Sequence, residues 1–365
     1  MLVTRGELII TLSEDRRTMV RYPLSSRMSK RKATSLKISF IGHLSTSWIG
    51  RDFELLSDFC VEPLQIRGRS FYTLLKLIRQ FISADIIYVW FIKINTFIVV
   101  FLSIFFNKKT IIVTGGYDVA KEPKINYGQM LNPLRARMVR FVLEHATKIL
   151  SVSHYQKEKE ILRITKKTRV HVVPLPCDTK KFHPGREKEK LVVTVSKISW
   201  SFIKRKGLET FLSAAKFFPD VSFVLIGKHA DGSINYLRER APPNVTFTGF
   251  IKTEELVEWY QRAKVYCQLS YHESEMSGGA LGEAMACQCI PVVSSRISSI
   301  REAVGDCGFY VPYGDVRATV EAIRKALDAS QSRGEKARKR MLNMFPMEKR
   351  KQALHRAIQK AMENS

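Results

Sequence analysis

From Lys37 onward, short apolar runs alternate with helical patterns, stop at a proline-rich interval, and then begin again. In the first series, the strands fall at residues 37–42, 86–90, 110–114, 148–152 and 170–173. Helices fall between them at 48–59, 96–106, 133–145 and 155–162. Pro174, Pro176, Pro184 and Gly185 interrupt the pattern. The second series places strands at 191–195, 221–226, 245–248, 265–269 and 290–294, and helices at 208–217, 234–240, 254–263, the 280s and 316–327. Successive strands joined by helices must run parallel, because a helical crossover returns the chain to the same end of the sheet. The expectation is an α/β protein of two doubly wound, Rossmann-like domains facing across a cleft. Ligands bind such sheets outside the carboxyl ends of the strands.

A chain of 365 residues exceeds what one core serves, in keeping with two domains. The expected divisions are 1–36, a basic and unstructured extension; 37–184; 185–342; and 343–365, a terminal helix opened by Pro346. The extension reads as a basic arm or as residues ahead of a start at Met28, and the onset of patterning at Lys37 favours the second. A membrane span over 86–106 is long enough but is interrupted by Lys93 and Asn95, so strand then helix is the better reading.

A hydrophobic share of 45% argues against disorder, whereas the net charge of +26 is unusual. Residues 1–37 hold nine Lys/Arg against three acids, and residues 331–365 hold ten against three. Such tails suit anionic partners: a membrane surface, phosphorylated ligands or nucleic acid. No aromatic–basic reader motif is present, so nucleic acid is the less favoured partner. The six cysteines include no C-x-x-C pair, which disfavours zinc and disulfide frameworks and fits a reducing cytoplasm. The apolar run 8–12 is too short for a signal peptide.

The chemistry concentrates at 271–293, where Glu275 and Glu283 flank a Gly278–Gly279 step that opens an alanine-rich helix. Glycines let a phosphate approach the backbone, and the N–H groups and dipole of a helix start favour anions. Two glutamates at this spacing are, taken alone, most often solvated charges. Lys206–Gly207–Leu208 marks another Gly-punctuated helix start bearing a cation, with Lys197 upstream, just past the strand at 191–195. Asn244 to Phe250 reads as a strand and turn, and Thr114–Gly115–Gly116–Tyr117–Asp118 as a strand end with a tight turn.

Together these segments resemble the E-x7-E retaining glycosyltransferases of family 4, which have the GT-B architecture, over about residues 37–360. The resemblance implies a nucleotide-sugar donor as substrate, with no cofactor. Glu283 would take the ribose hydroxyls, and Glu275 the transferred sugar. Ser277, Gly278 and Gly279 would face sugar or phosphate, Lys206 and Lys197 the diphosphate, and Phe250 would lie beside the base. Glu275, Lys206 and Asp118 are the expected catalytic groups, and Gly42, Gly116, Tyr117 and Asp118 the acceptor side. Two departures stand out. Met276–Ser277 replaces a common Gly-Phe, and the turn at 114–118 lacks the histidine that many members carry there. No Asp-x-Asp stands at a strand end, so no metal is expected. The terminal helix is expected to return to the first domain.

Mixed apolar and basic stretches at 71–82 and 134–143 suit peripheral contact with an anionic membrane and a lipid-linked or otherwise anionic acceptor. Two readings compete: a nucleotide-sugar synthase or epimerase of the same architecture, and a basic nucleic-acid- or membrane-binding protein without transferase activity.

Overall fold

The computed structural model describes residues 36–64, 78–166, 169–185, 187–272, 279–296 and 298–363, together with the backbone of 2–4, 7–11 and 19–23. The chain packs as two compact units, Met1–Tyr88 and Val89–Ser365.

The first unit opens with β1 (Leu2–Thr4), β2 (Glu7–Thr11) and β3 (Met19–Pro23), which form an antiparallel sheet. No regular structure is expected there from the sequence. The register pairs Ile9 with Arg21 and Ile10 with Val20, a local hairpin pairing that needs no long apolar run. Then β4 (Lys37–Ile41) and β5 (Cys60–Pro63) pair in parallel across α1 (Ser47–Leu55). The α1 helix ends four residues short of 59 because the chain must already turn to enter β5. The fully buried Asp52 carboxylate of α1 accepts from Tyr88 Oη at 2.7 Å.

Strand β6 (Ile86–Trp90) straddles the boundary between the units. It is followed by α2 (Ile94–Phe105), β7 (Lys109–Thr114), α3 (Pro133–His145), β8 (Lys148–Ser151) and β9 (Val170–Val172). The sheet order is β5-β4-β6-β7-β8-β9. All residues of β6 and β8 are buried, which suits the continuous apolar runs of parallel strands covered on both faces. The helix expected at 155–162 is present, as a π-helical stretch, Gln156–Ile161, with i→i+5 bonding that runs into the α-helical Leu162–Ile164. Its local cause is Gln156, whose Oε1 accepts from Thr114 Oγ1, Ser151 Oγ and Val152 N at 2.8–3.0 Å and so draws the start of the stretch onto the sheet.

The second sheet comprises β10 (Glu189–Val195), β11 (Ser222–Ile226), β12 (Val245–Gly249), β13 (Ala263–Gln268), β14 (Ile290–Ser294) and β15 (Phe309–Val311). All its pairings are parallel, and its order is β12-β11-β10-β13-β14-β15. Counted from β10 this is 3-2-1-4-5-6, with the reversal between β10 and β13. Its helices are α4 (Trp200–Lys206), α5 (Leu208–Ala215), α6 (Ser233–Arg240), α7 (Thr253–Arg262), α8 (Ala280–Ala286), α9 (Ser298–Val304), α10 (Val316–Asp328) and α11 (Gln331–Met344). Helix α12 (Met347–Glu363) then turns back toward β9, where the buried Arg350 donates to the carbonyls of Val173 and Pro174 at 2.6 and 3.0 Å.

Candidate functional site

The reversal between β10 and β13 opens a crevice at their carboxyl ends. Thr194 Oγ1 ties the two strands together by donating to Cys267 O at 2.9 Å. The chain leaving β10 does not run straight into a helix at Leu208. It first forms α4, which Gly207 closes in the left-handed region at φ 65° before opening α5. Only glycine fits, because a Cβ at 207 would lie 2.2 Å from Leu269 O. Lys206 therefore sits at the end of α4 rather than at the first turn of a helix, a correction to the sequence expectation. The cause is that Trp200–Lys206, which reads as loop, is helical. Arg205 O accepts from Tyr271 N at 2.8 Å. The Arg205–Lys206–Gly207 turn is thus fastened to the strand end that leads into residues 273–279.

The loops after β10, β11 and β12 are stitched side by side. Ile198 N donates to Lys228 O at 2.9 Å, and Gly227 N to Gly249 O at 3.0 Å. This brings Lys197, His229 and Phe250 to one rim. Lys197 is exposed, and Phe250 is 77% exposed just past Gly249, which has φ 74°. His229 Nε2 is buried without a hydrogen-bond partner among the described residues, and burial holds the imidazole below its usual pKa. Gly279 caps α8, and Glu283 stands half-buried in that helix, its N–H donating to Gly279 O at 3.1 Å. Glu275, Ser277 and Gly278 lie outside the described residues, as does most of the 71–82 stretch. Gly42 follows β4 in the first unit.

Across from this crevice lie the carboxyl ends of β7 and β8. At the end of β7, Asp118 is buried beneath the Gly115–Gly116 turn rather than facing a ligand. Its Oδ1 accepts from Gly115 N at 3.1 Å and Gly116 N at 2.9 Å, and its Oδ2 accepts from Ile92 N at 3.2 Å. Burial outweighs these bonds and pushes its pKa up to about 6. An acceptor-contacting or catalytic Asp118 is therefore corrected to a group that shapes the turn. The turn leaves Tyr117 exposed, edge-on to Tyr127.

The two sets of strand ends meet at His272, four residues beyond the end of β13. The imidazole is 1% exposed, with Nδ1 3.4 Å from Glu122 Oε1 and Nε2 3.2 Å from Glu160 Oε1. Arg296, after β14, reaches Glu122 Oε2 at 3.1 Å while lying 3.8 Å over the Tyr271 ring. Glu302 of α9 accepts from the N–H groups of His154 and Tyr155 at 3.2 and 3.0 Å. Burial, with Glu160 and Glu122 nearby, pushes the Tyr155 phenol up to about 12. Arg205 lies 4.5 Å over Tyr127. None of His272, Glu122, Glu160, Arg205 or Arg296 is singled out by the sequence. Their positions depend on which loops face one another, and the only signal is that His272 lies inside the segment already marked by its glutamates.

Residues 189–329 match the family model described as glycosyl transferases group 1. No curated protein matches the chain by sequence. Among solved structures, sucrose-phosphate synthase from Thermosynechococcus elongatus aligns at TM-score 0.71 and 17% identity over 90% of this chain and 100% of that one. HepE from Anabaena, solved with UDP and glucose, aligns at 0.71 and 15% over 89% and 100%. The α,α-trehalose-phosphate synthase from Burkholderia xenovorans aligns at 0.64 and 10% over 90% and 99%. At these identities the likeness is one of fold, and the fold is GT-B.

Proposed function

We propose that the protein is a nucleotide-sugar-dependent glycosyltransferase that transfers a sugar with retention to a lipid-linked or otherwise anionic acceptor. The observation that carries this reading is the Arg205–Lys206–Gly207 turn, hydrogen-bonded at the switch point to the strand end that continues toward Gly279 and Glu283. It lies within the segment matching group 1 glycosyl transferases. The complex of HepE with UDP and glucose supports a nucleoside diphosphate in this crevice.

In this reading Lys206, with Lys197, neutralises the diphosphate, and no metal is assigned. Glu283 holds the ribose hydroxyls, Phe250 lies along the base, and Glu275, Ser277, Gly278 and Gly279 position the sugar. The bond from the anomeric carbon to the diphosphate oxygen breaks while the acceptor oxygen bonds on the same face. The acceptor proton passes to the departing diphosphate. Cations fixed where charge develops are the main lever on such a step. Retention rests on the likeness of 271–283 to the E-x7-E pattern, and Glu275 acts as a positioning group. Gly116 and Tyr117 border the acceptor side.

The test is nucleotide release from UDP-, GDP- and ADP-sugars, with anomeric configuration read by NMR. Lys206→Ala and Glu283→Ala are each expected to lower turnover on the order of 10²-fold or more. No release from any donor, together with salt-sensitive binding to RNA or duplex DNA, would sink the proposal in favour of a nucleic-acid-binding protein.

A further inference from the structure

Helix α2 is amphipathic in the inverse sense. Its polar residues Thr96 and Ser103 are buried with Val99 and Val100. Thr96 Oγ1 and Ser103 Oγ find backbone acceptors in Phe91 O and Val99 O, each at 2.7 Å. Ile94, Ile98, Phe101, Leu102 and Phe105 are all exposed, Ile98 at 48% and Phe105 at 70%. Spaced i, i+4, i+7, i+8 and i+11, they form one continuous outward stripe. A helix that turns its hydroxyls inward and its large apolar groups outward is built for an apolar environment outside the fold.

The surroundings identify that environment. Helix α3 packs beside α2 through Phe141, which lies 5.0 Å from Phe97. It presents the exposed Arg135, Arg137 and Arg140. Lys93 precedes α2, and Lys108 and Lys109 follow it. Between Val89 and His145 there are eight Lys/Arg and three acids, Asp118, Glu122 and Glu144. Asp118 is buried, Glu122 is held by Arg296 and His272, and the half-buried Glu144 of the last turn of α3 lines a pocket with Arg140 and Arg163, so the cations outnumber the acids at this face. A cavity of about 420 Å³ between the two helices is lined by Lys93, Ile94, Phe97, Leu134, Arg135 and Met138. An apolar stripe rimmed by cations complements the acyl–headgroup boundary of an anionic bilayer. With twelve residues, α2 extends only about 18 Å, well short of a hydrocarbon core. Among the described residues no helix is long and apolar enough to cross a membrane.

We propose that the α2–α3 face docks the protein onto an anionic lipid surface, with α2 lying in the plane of the interface and the α3 arginines on the headgroups. This deepens the lipid-linked-acceptor reading above, and its test reads lipid binding rather than transfer. The full chain is sedimented with vesicles of phosphatidylcholine alone or with added phosphatidylglycerol, at low and high salt. Binding is expected only with phosphatidylglycerol and is expected to weaken with salt. Ile98→Gln/Phe105→Gln should lower the partition coefficient at least about tenfold with the thermal midpoint unchanged. Arg137→Glu/Arg140→Glu should abolish the preference for phosphatidylglycerol. Failure of the wild type to bind, or equal binding by the α2 double variant, overturns the proposal. So does a dimer in sedimentation velocity that this variant dissociates, since a second copy would then cover the face. A melting shift with UDP, measured in parallel, separates the two readings. A shift without vesicle binding sinks the docking alone, and vesicle binding without a shift in any nucleotide sinks the donor reading alone.

Discussion

Asp118 shows how one side chain can organise a turn at a site without touching a ligand. Three backbone N–H groups converge on its carboxylate, favouring the ionised form, yet burial is the larger effect and pushes its pKa up to about 6. The native state therefore binds a proton between about pH 4 and pH 6 that the unfolded chain has released. Stability from this group is fully present below the unfolded pKa and is lost as pH rises through 6, by about 3 kcal/mol. The expected outcome is that the stability advantage of wild type over Asp118→Ala, from urea midpoints, shrinks by about that amount between pH 4 and pH 7. An advantage that stays flat or grows with pH would remove burial as the dominant cause. Gly207 is the second residue whose role is local and specific, because the φ of 65° and the nearby Leu269 carbonyl together admit only a hydrogen at that carbon.

Among the elements, His272 couples the loop after β13 to those after β7 and β8, since Glu122 and Glu160 close on its two ring nitrogens. Removing the imidazole would leave two largely buried carboxylates facing the hole. His272→Ala is expected to cost about 3–5 kcal/mol. A double-mutant cycle with Glu160→Gln should return a coupling of about 1 kcal/mol or more, where independent sites would add. The elements that could be read from sequence carry a local signal, a cap or a continuous apolar run. The expected 133–145 helix and 290–294 strand coincide with Pro133–His145 and Ile290–Ser294, because Asn132 caps the one and apolar residues fill the other. Three α-helices were not legible. Trp200–Lys206 and Ser298–Val304 have seven residues each, too few to show a periodic apolar stripe, and Gln331–Met344 buries only Gly334, Ala337 and Met341.

At the level of the whole molecule, single arginines fasten the irregular chain between the two strand series. Arg338 donates to Phe182 O and Ala286 O, at 3.1 and 2.6 Å, and Arg350 donates to the carbonyls of Val173 and Pro174. Arg350 is 2% exposed, so Arg350→Met would take a buried donor from both carbonyls. Its expected cost is about 2–5 kcal/mol, read as a lower urea midpoint. A cost within 0.5 kcal/mol would show that α12 is held by its apolar face alone.

The sequence by itself determined the architecture, because two series of apolar runs separated by helical periods can only be satisfied by parallel, doubly covered sheets. It also marked where ligand chemistry concentrates, because glycine punctuation and charges at strand ends are local signals carried by consecutive residues. Tertiary structure decided the rest. It buried Asp118 while leaving Tyr117 in solvent, and it turned Thr96 and Ser103 inward so that Ile98 and Phe105 face out. It also set His272 between two glutamates, one 112 and one 150 positions earlier in the chain. The physical reason is that such pairings depend on which loops the sheet order brings opposite one another. Separation along the chain carries no record of that.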